Sequence, residues 1–257
     1  MNMDREKRLV LEDSRGLKTY FYRDPSAFDD SAGDVFRENF WERGDFAVRR
    51  NRRKAFFNSS LFGFAGAAGS SAESLAHPRA AAAYTVLLAR VMGCREKSSL
   101  VLLERGALFH DIGKAGLPAE ILDKAGALTP IEREIMMEHP VIGHRILRDI
   151  GFFKESAGIV LHHHERFDGR GYPFGLAGDE IPEGARIFAL ADTLDAITSD
   201  RPYRKGRGFP EAVREIAMAG GSQFDPRIVD AFLSVPADLW AETGREARAA
   251  ARRPSVN

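Results

Sequence analysis

Five of the chain's seven histidines and two of its aspartates fall at or near the ends of helical-looking segments: His77, His110–Asp111, His139, His163–His164 and Asp192. Each position or pair belongs to a different predicted helix. Imidazole and carboxylate ligands from several helices act together only if those segments converge, which a helical bundle with a polar centre allows. A single histidine at a helix terminus is more often a cap, a dipole partner or a buried hydrogen-bonded group. The run HDIGK at 110–114 resists that explanation. An acidic ligand there can bridge two cations, and Lys114, one turn after Asp111, can reach a phosphate oxygen or orient a bridging water.

Helix punctuation supports a mainly α fold from about residue 71 onward. Pro78 suits N1 of a helix through AAAAYTVLLARVM that stops at Gly93. Ser98 or Ser99 can cap LVLLERGALFHD, whose end delivers His110 and Asp111. Thr129, Pro130 and Glu132 read as a capping box with proline at N1, and Pro140 restarts a short helix. A further helix is expected over about 155–165, a long one after Pro182, and another opened by Asp225 and Pro226. Strand-like alternation is absent from this region, so any strands are confined to the first 60 residues.

Three segments organise the chain: residues 1–70, a mixed or helical N-terminal region of unassigned role, with regulation as one candidate; 71–243, the helical domain; and 244–257, GREARAAARRPSVN, a fraying basic helix and tail. The small-residue run at 63–72 reads as a linker. Arg49, Arg50, Arg52, Arg53 and Lys54 read as a solvated helix face rather than a nucleic-acid contact, because no aromatic interleaving accompanies them. Net charge is zero, so no DNA partner is expected and any phosphate recognition must be local. One cysteine, Cys94, a charged start and the absence of a long apolar run fit a cytoplasmic chain with no membrane span.

HDIGK at 110–114, HHERFDGRGYP at 163–173 and ADTLDAITSDRPYR at 191–204 together resemble the HD-GYP domain, a branch of the HD superfamily. The resemblance runs over about 73–233 and implies an HD-type helical bundle around a metal centre. It implies His110, Asp111, His139, His163, His164 and Asp192 as metal ligands, with Asp111 bridging, and His77 as an upstream ligand. Glu73, one turn before His77, matches a glutamate that supports a third metal in some members; Ser70 with Glu73 reads equally as a capping box. The family's arginine three residues after that histidine is replaced by Ala80. The motif register leaves His162 as a neighbour of the ligands, and His144 lies outside every motif.

The same resemblance implies cyclic di-GMP as substrate, opened by a metal-bridging hydroxide to linear pGpG and, in a second cut, to GMP. Asp111 and Lys114 are the catalytic candidates. Lys114, Tyr172, Arg201 and Arg204 are the substrate-binding candidates, the guanidinium forks clamping phosphate. Asp168 and Gly169 shape the loop carrying Tyr172, and Asp195, one turn after Asp192, can orient a ligand histidine. The implied cofactors are two divalent cations, three if Glu73 takes part, with iron or manganese expected. Two alternatives stand beside this reading: an HD hydrolase for another cyclic dinucleotide, and a signalling module that binds cyclic di-GMP without turnover. A homodimer or a signalling partner is compatible with either.

Overall fold

The computed structural model describes residues 9–12, 18–21, 73–200 and 205–252, with side chains over 76–200 and 205–250. Near the start, β1 (Leu9–Glu12) and β2 (Lys18–Phe21) pair antiparallel, Leu9 opposite Phe21 and Glu12 opposite Lys18. Everything else described is helix or connection, in agreement with the mainly α expectation. The main helices are α1 (Glu73–Val91), α2 (Lys97–Leu108), α3 (Ala119–Leu122), α4 (Pro130–Met136) and α5 (His139–Arg148), followed by α6 (Ala157–His162), α7 (Glu183–Thr198), α8 (Phe209–Met218), α9 (Pro226–Leu233) and α10 (Ala237–Arg252). Short 3-10 turns cover Ile112–Gly116 and Gly178–Glu180. Among the described residues no helix is long and apolar enough to cross a membrane.

Helix α1 is the axis of the bundle. Its alanine run is fully packed, with Ala80, Ala81 and Ala82 at most 2% exposed, and the missing side-chain bulk lets α2, α7 and α10 approach closely. On one flank Tyr84 and Leu88 join Leu190, Leu194, Ile216, Phe232 and Trp240 in the largest apolar cluster. On another, Ala81, Ala82, Ala107, Ile159 and Phe188 tie α1 to α2, α6 and α7. A third cluster, built on Phe109, Ile112, Leu147, Phe153 and Val160, fixes the turn after α2 against α5 and α6.

Local signals set most helix starts. Thr129 accepts from the Glu132 amide while the Glu132 carboxylate accepts from the Thr129 amide, a complete capping box ahead of Pro130. Asp225 caps α9 by accepting from the Arg227 amide. Other expectations are corrected. Helix α1 begins at Glu73, so Pro78 lies inside it instead of opening it. This early in a helix the proline forfeits a single backbone bond, a loss that packing offsets. Ser98 donates to the Glu96 carboxylate, and Glu96 precedes α2 without a side-chain cap.

The helix expected in the C-terminal segment is present: α10 runs from Ala237 to Arg252, so residues 244–252 form its second half. Its anchor is Trp240, 1% exposed, whose ring meets Tyr84 at 5.7 Å and whose Nε1 donates to the Phe232 carbonyl. Trp240→Ala is expected to lower the unfolding free energy by about 3–5 kcal/mol in urea titrations, as other buried aromatic truncations do; a loss below about 1 kcal/mol would show that α10 is peripheral.

Candidate metal centre

The bundle brings all seven histidine and aspartate candidates with described side chains into one place, sorted into two groups. His139, His163 and His164 form one; His77, His110 and Asp192 form the other. Within each group the potential ligand atoms lie within 4.8 Å of one another. Asp111 stands between them: Oδ1 lies 3.3 Å from His139 Nε2 and Oδ2 lies 3.2 Å from His110 Nε2.

Tautomers are fixed by the helices that carry the rings. His110 Nδ1 faces the Ala107 carbonyl at 2.8 Å, His139 Nδ1 the Met136 carbonyl at 2.8 Å, and His163 Nδ1 the Val160 carbonyl at 2.7 Å. A carbonyl only accepts, so each Nδ1 must donate, and in a neutral ring the Nε2 lone pair then points into the centre. His139 Nε2 and His163 Nε2 consequently confront each other at 3.2 Å. His77 differs, with Nδ1 2.5 Å from Asp195 Oδ2 and Nε2 3.2 Å from Asp192 Oδ1. That Asp192 oxygen is buried and meets no donor in hydrogen-bonding geometry despite its closeness to the ring. Facing lone pairs and an unsatisfied buried carboxylate oxygen are the donor set a divalent cation satisfies, so these residues fit the implied metals.

Glycine makes the approach possible at Gly113. A β-carbon there would lie 1.9 Å from the His139 carbonyl oxygen, so only glycine lets the turn after Asp111 seat against the start of α5. Lys114, in the same turn, donates to Asp111 Oδ2 at 2.6 Å.

The segment after His164 folds over the centre. Tyr172 stacks on His164 with centroids 4.6 Å apart, and burial together with the Asp111 and Asp192 charges pushes its phenol pKa up, keeping the hydroxyl protonated. Glu165, buried and unremarked in the sequence, anchors this loop by accepting from the Phe174 and Leu176 amides at 2.8 and 3.1 Å. Asp168 shapes it as expected, pairing with Arg166 at 2.8 Å and accepting from the Arg170 amide, while Gly169 takes φ +76°. A cleft of about 250 Å³ opens between loop and helix α7, lined in part by His164, Arg166, Tyr172, Asp192, Thr193 and Gln223. His162 lies against Phe174, with ring centroids 5.6 Å apart, and belongs to neither group. Helix α1 is continuous from Glu73, which sets Glu73 one turn before His77; the Glu73 side chain and residues 201–204, with Arg201 and Arg204, lie outside the described residues.

A helical bundle closed around a histidine–aspartate centre is the class this geometry defines. The HD domain family model matches residues 67–228, and the chain belongs to that family, its HDIGK and HHERFDGRGYP runs placing it in the HD-GYP branch. A cyclic di-GMP phosphodiesterase of Thermotoga maritima is 45% identical over 146 residues, 56% of this chain and 40% of that protein. A 3′3′-cGAMP-specific phosphodiesterase of Vibrio cholerae is 39% identical over 137 residues, 53% of this chain and 30% of that protein. The chain spans about two-fifths of the length of the Thermotoga maritima protein and of two other curated cyclic di-GMP phosphodiesterases it matches. Among solved structures, Bd1817, an HDG"Y"P protein of Bdellovibrio bacteriovorus, shares the fold with a TM-score of 0.51 at 19% identity, over 69% of this chain and 57% of that one.

Protonation follows from burial and charge. Burial pushes His139 down to about 4 and His164 to about 3, with neighbouring histidines adding to the effect. Burial also opposes the His77 imidazolium, but the Asp192 carboxylate close beside it and the hydrogen-bonded, charged Asp195 outweigh it and raise His77 to about 9. Unfolded histidine titrates near 6.5. Below that pH the unfolded chain takes up protons that native His139 and His164 refuse, so stability falls as pH drops from about 6.5 toward 4. His77 contributes stability fully present below about 6.5 and lost as pH rises through 9. Chelator-treated protein should therefore show its highest urea midpoint near pH 6.5, with a decline on both sides between pH 4.5 and 9.5; a flat profile would contradict these assignments.

Proposed function

We propose that this chain is a metal-dependent phosphodiesterase that opens cyclic di-GMP to linear pGpG, with a second cut to GMP as the further step available to it. The observation that carries the reading is Asp111, whose two carboxylate oxygens address the two ligand groups separately. His139, His163 and His164 would hold one cation, His77, His110 and Asp192 the other, with Asp111 shared. Iron and manganese both suit a shell of imidazole and carboxylate, and Glu73 would add a third position. A bound cation pair supplies Lewis acidity toward a phosphodiester and lowers the pKa of water to near neutrality.

The chain's own groups do the rest. Lys114, already held on Asp111, is within reach of a phosphate oxygen at the shared position and adds positive charge where the transition state accumulates negative charge. Tyr172 forms one wall of the cleft with its hydroxyl kept protonated, so it presents a donor rather than an anion to the substrate. Arg201 and Arg204 would clamp the phosphates in bidentate fashion. The loop pinned by Glu165 covers one side of the centre and restricts water there.

The phosphodiester chemistry is common to cyclic dinucleotides, and the cGAMP-specific relative supports a second reading in which the base pair recognised is guanine with adenine. Both are tested together: the protein, loaded anaerobically with ferrous iron or with manganese, is given cyclic di-GMP or 3′3′-cGAMP and the products are separated chromatographically. Linear pGpG from cyclic di-GMP is expected at the higher rate. Asp111→Ala should lower it by more than about a hundredfold, beyond the loss typical of outer-shell changes, with helical circular dichroism retained. Tight binding without a linear product in either metal form would sink the enzymatic reading.

A further inference from the structure

We propose that Arg248, on the C-terminal helix α10, is a positioning residue for the metal centre that acts through Asp195 on His77. The inference rests on the reading of His77 as a metal ligand. His110, His139 and His163 are each aimed by a carbonyl of their own chain segment three residues back. His77 is aimed instead by a carboxylate from another helix, Asp195 on α7, at 2.5 Å. That carboxylate is fully buried, so its own orientation depends on what neutralises and holds it. Its second oxygen receives the Arg248 guanidinium and the Ser199 hydroxyl, the latter at 2.8 Å. Arg248 is braced in turn by the Ser199 oxygen at 3.0 Å and the Tyr84 hydroxyl at 3.2 Å.

The packing of α10 is arranged around this reach. At Gly244 a β-carbon would lie 2.0 Å from the Tyr84 hydroxyl and 2.6 Å from Arg248 Nη2, so the helix meets α1 at the one residue that leaves room for the guanidinium to pass inward. Removing one partner of a buried charged pair leaves the other uncompensated, and Asp195 then loses the contact that fixes the oxygen facing His77. Arg248 also lies beyond residues 67–228, the span matched by the family model, so this chain supports the shared centre with a residue from outside that span.

The test uses the full chain, loaded with cobalt(II) and titrated with graded chelator, with metal content and the visible spectrum read on the same samples. Arg248→Met, which keeps the apolar stem and removes the donors, should weaken one of the two cations about tenfold, within the range known for groups behind metal ligands, leave the other unchanged, and alter the spectrum. Arg248→Lys should recover part of the loss. His77→Ala serves as reference and should remove the same cation outright. Wild-type affinity and spectrum in Arg248→Met, with His77→Ala defective, would overturn the inference alone. No change in His77→Ala either would overturn the ligand reading on which it stands. Should Arg248→Met fail to fold, Tyr84→Phe loosens Arg248 while leaving both donors to Asp195 in place, and an unchanged chelator titration in that variant would equally refute the proposal.

Discussion

The histidine Nδ1 donating to a carbonyl three residues back is the interaction on which the centre depends. It appears at His110, His139 and His163 and converts the end of a helical segment into a directed lone pair. The arrangement costs the protein little locally, because carbonyls at helix ends lack intrahelical donors. Its cost is collective: several Nε2 acceptors and two carboxylates are driven into one volume, with two nitrogens 3.2 Å apart. Apolar packing on α1, α7 and α6 supplies the opposing free energy, and a bound cation would relieve the repulsion. Binding and folding would then be coupled through the same contacts.

Close backbone approach is the second requirement. The turn holding Asp111 and Lys114 must press against the first residues of α5 so that His139 and His110 can flank one carboxylate. Gly113 permits this, and Gly143, whose β-carbon would lie 2.8 Å from Val160 Cγ1, permits α5 to settle on α6. The glycine of HDIGK is therefore a packing element first; the chemistry of its neighbours follows from the distance it allows. Gly171 does the same for the covering loop, where a β-carbon would fall 2.3 Å from the Arg166 amide nitrogen.

What the sequence made legible were the features with short-range signatures. Thr129 and Asp225 announce their helices by capping chemistry, and the paired residues His110–Asp111 and His163–His164 announce by adjacency the groups that the bundle gathers at its centre. Asp195 was legible as an orienting group because it stands one helical turn from Asp192. Less readable were features whose meaning depends on distant partners. Pro78 reads locally as a helix start, yet α1 extends back to Glu73. Glu165 reads as part of a motif, while its work, accepting two loop amides, requires the chain to return nine and eleven residues later. Arg248 sits in a basic, alanine-rich stretch indistinguishable from a solvated tail until Tyr84, Ser199 and Asp195 are brought against it.

The two ligand groups are chemically unequal, and this follows from how each is supported. His139, His163 and His164 are three imidazoles, two of them tied to carbonyls, and burial keeps them neutral. His77, His110 and Asp192 include a carboxylate whose pKa is held well below the usual range: burial opposes this, but the close approach of His77 and the His77 and His110 charges prevail. Behind that group stands a further carboxylate, Asp195, itself charge-paired. A cation in the first position would meet neutral nitrogen donors and would rely on Asp111 for negative charge. One in the second position would meet Asp192, with Asp195 raising the basicity of His77 from behind. Were Asp111 common to both, any movement of its carboxylate toward one position would reduce what it offers the other, and Lys114, fixed to Oδ2 on the His110 side, already weights that balance.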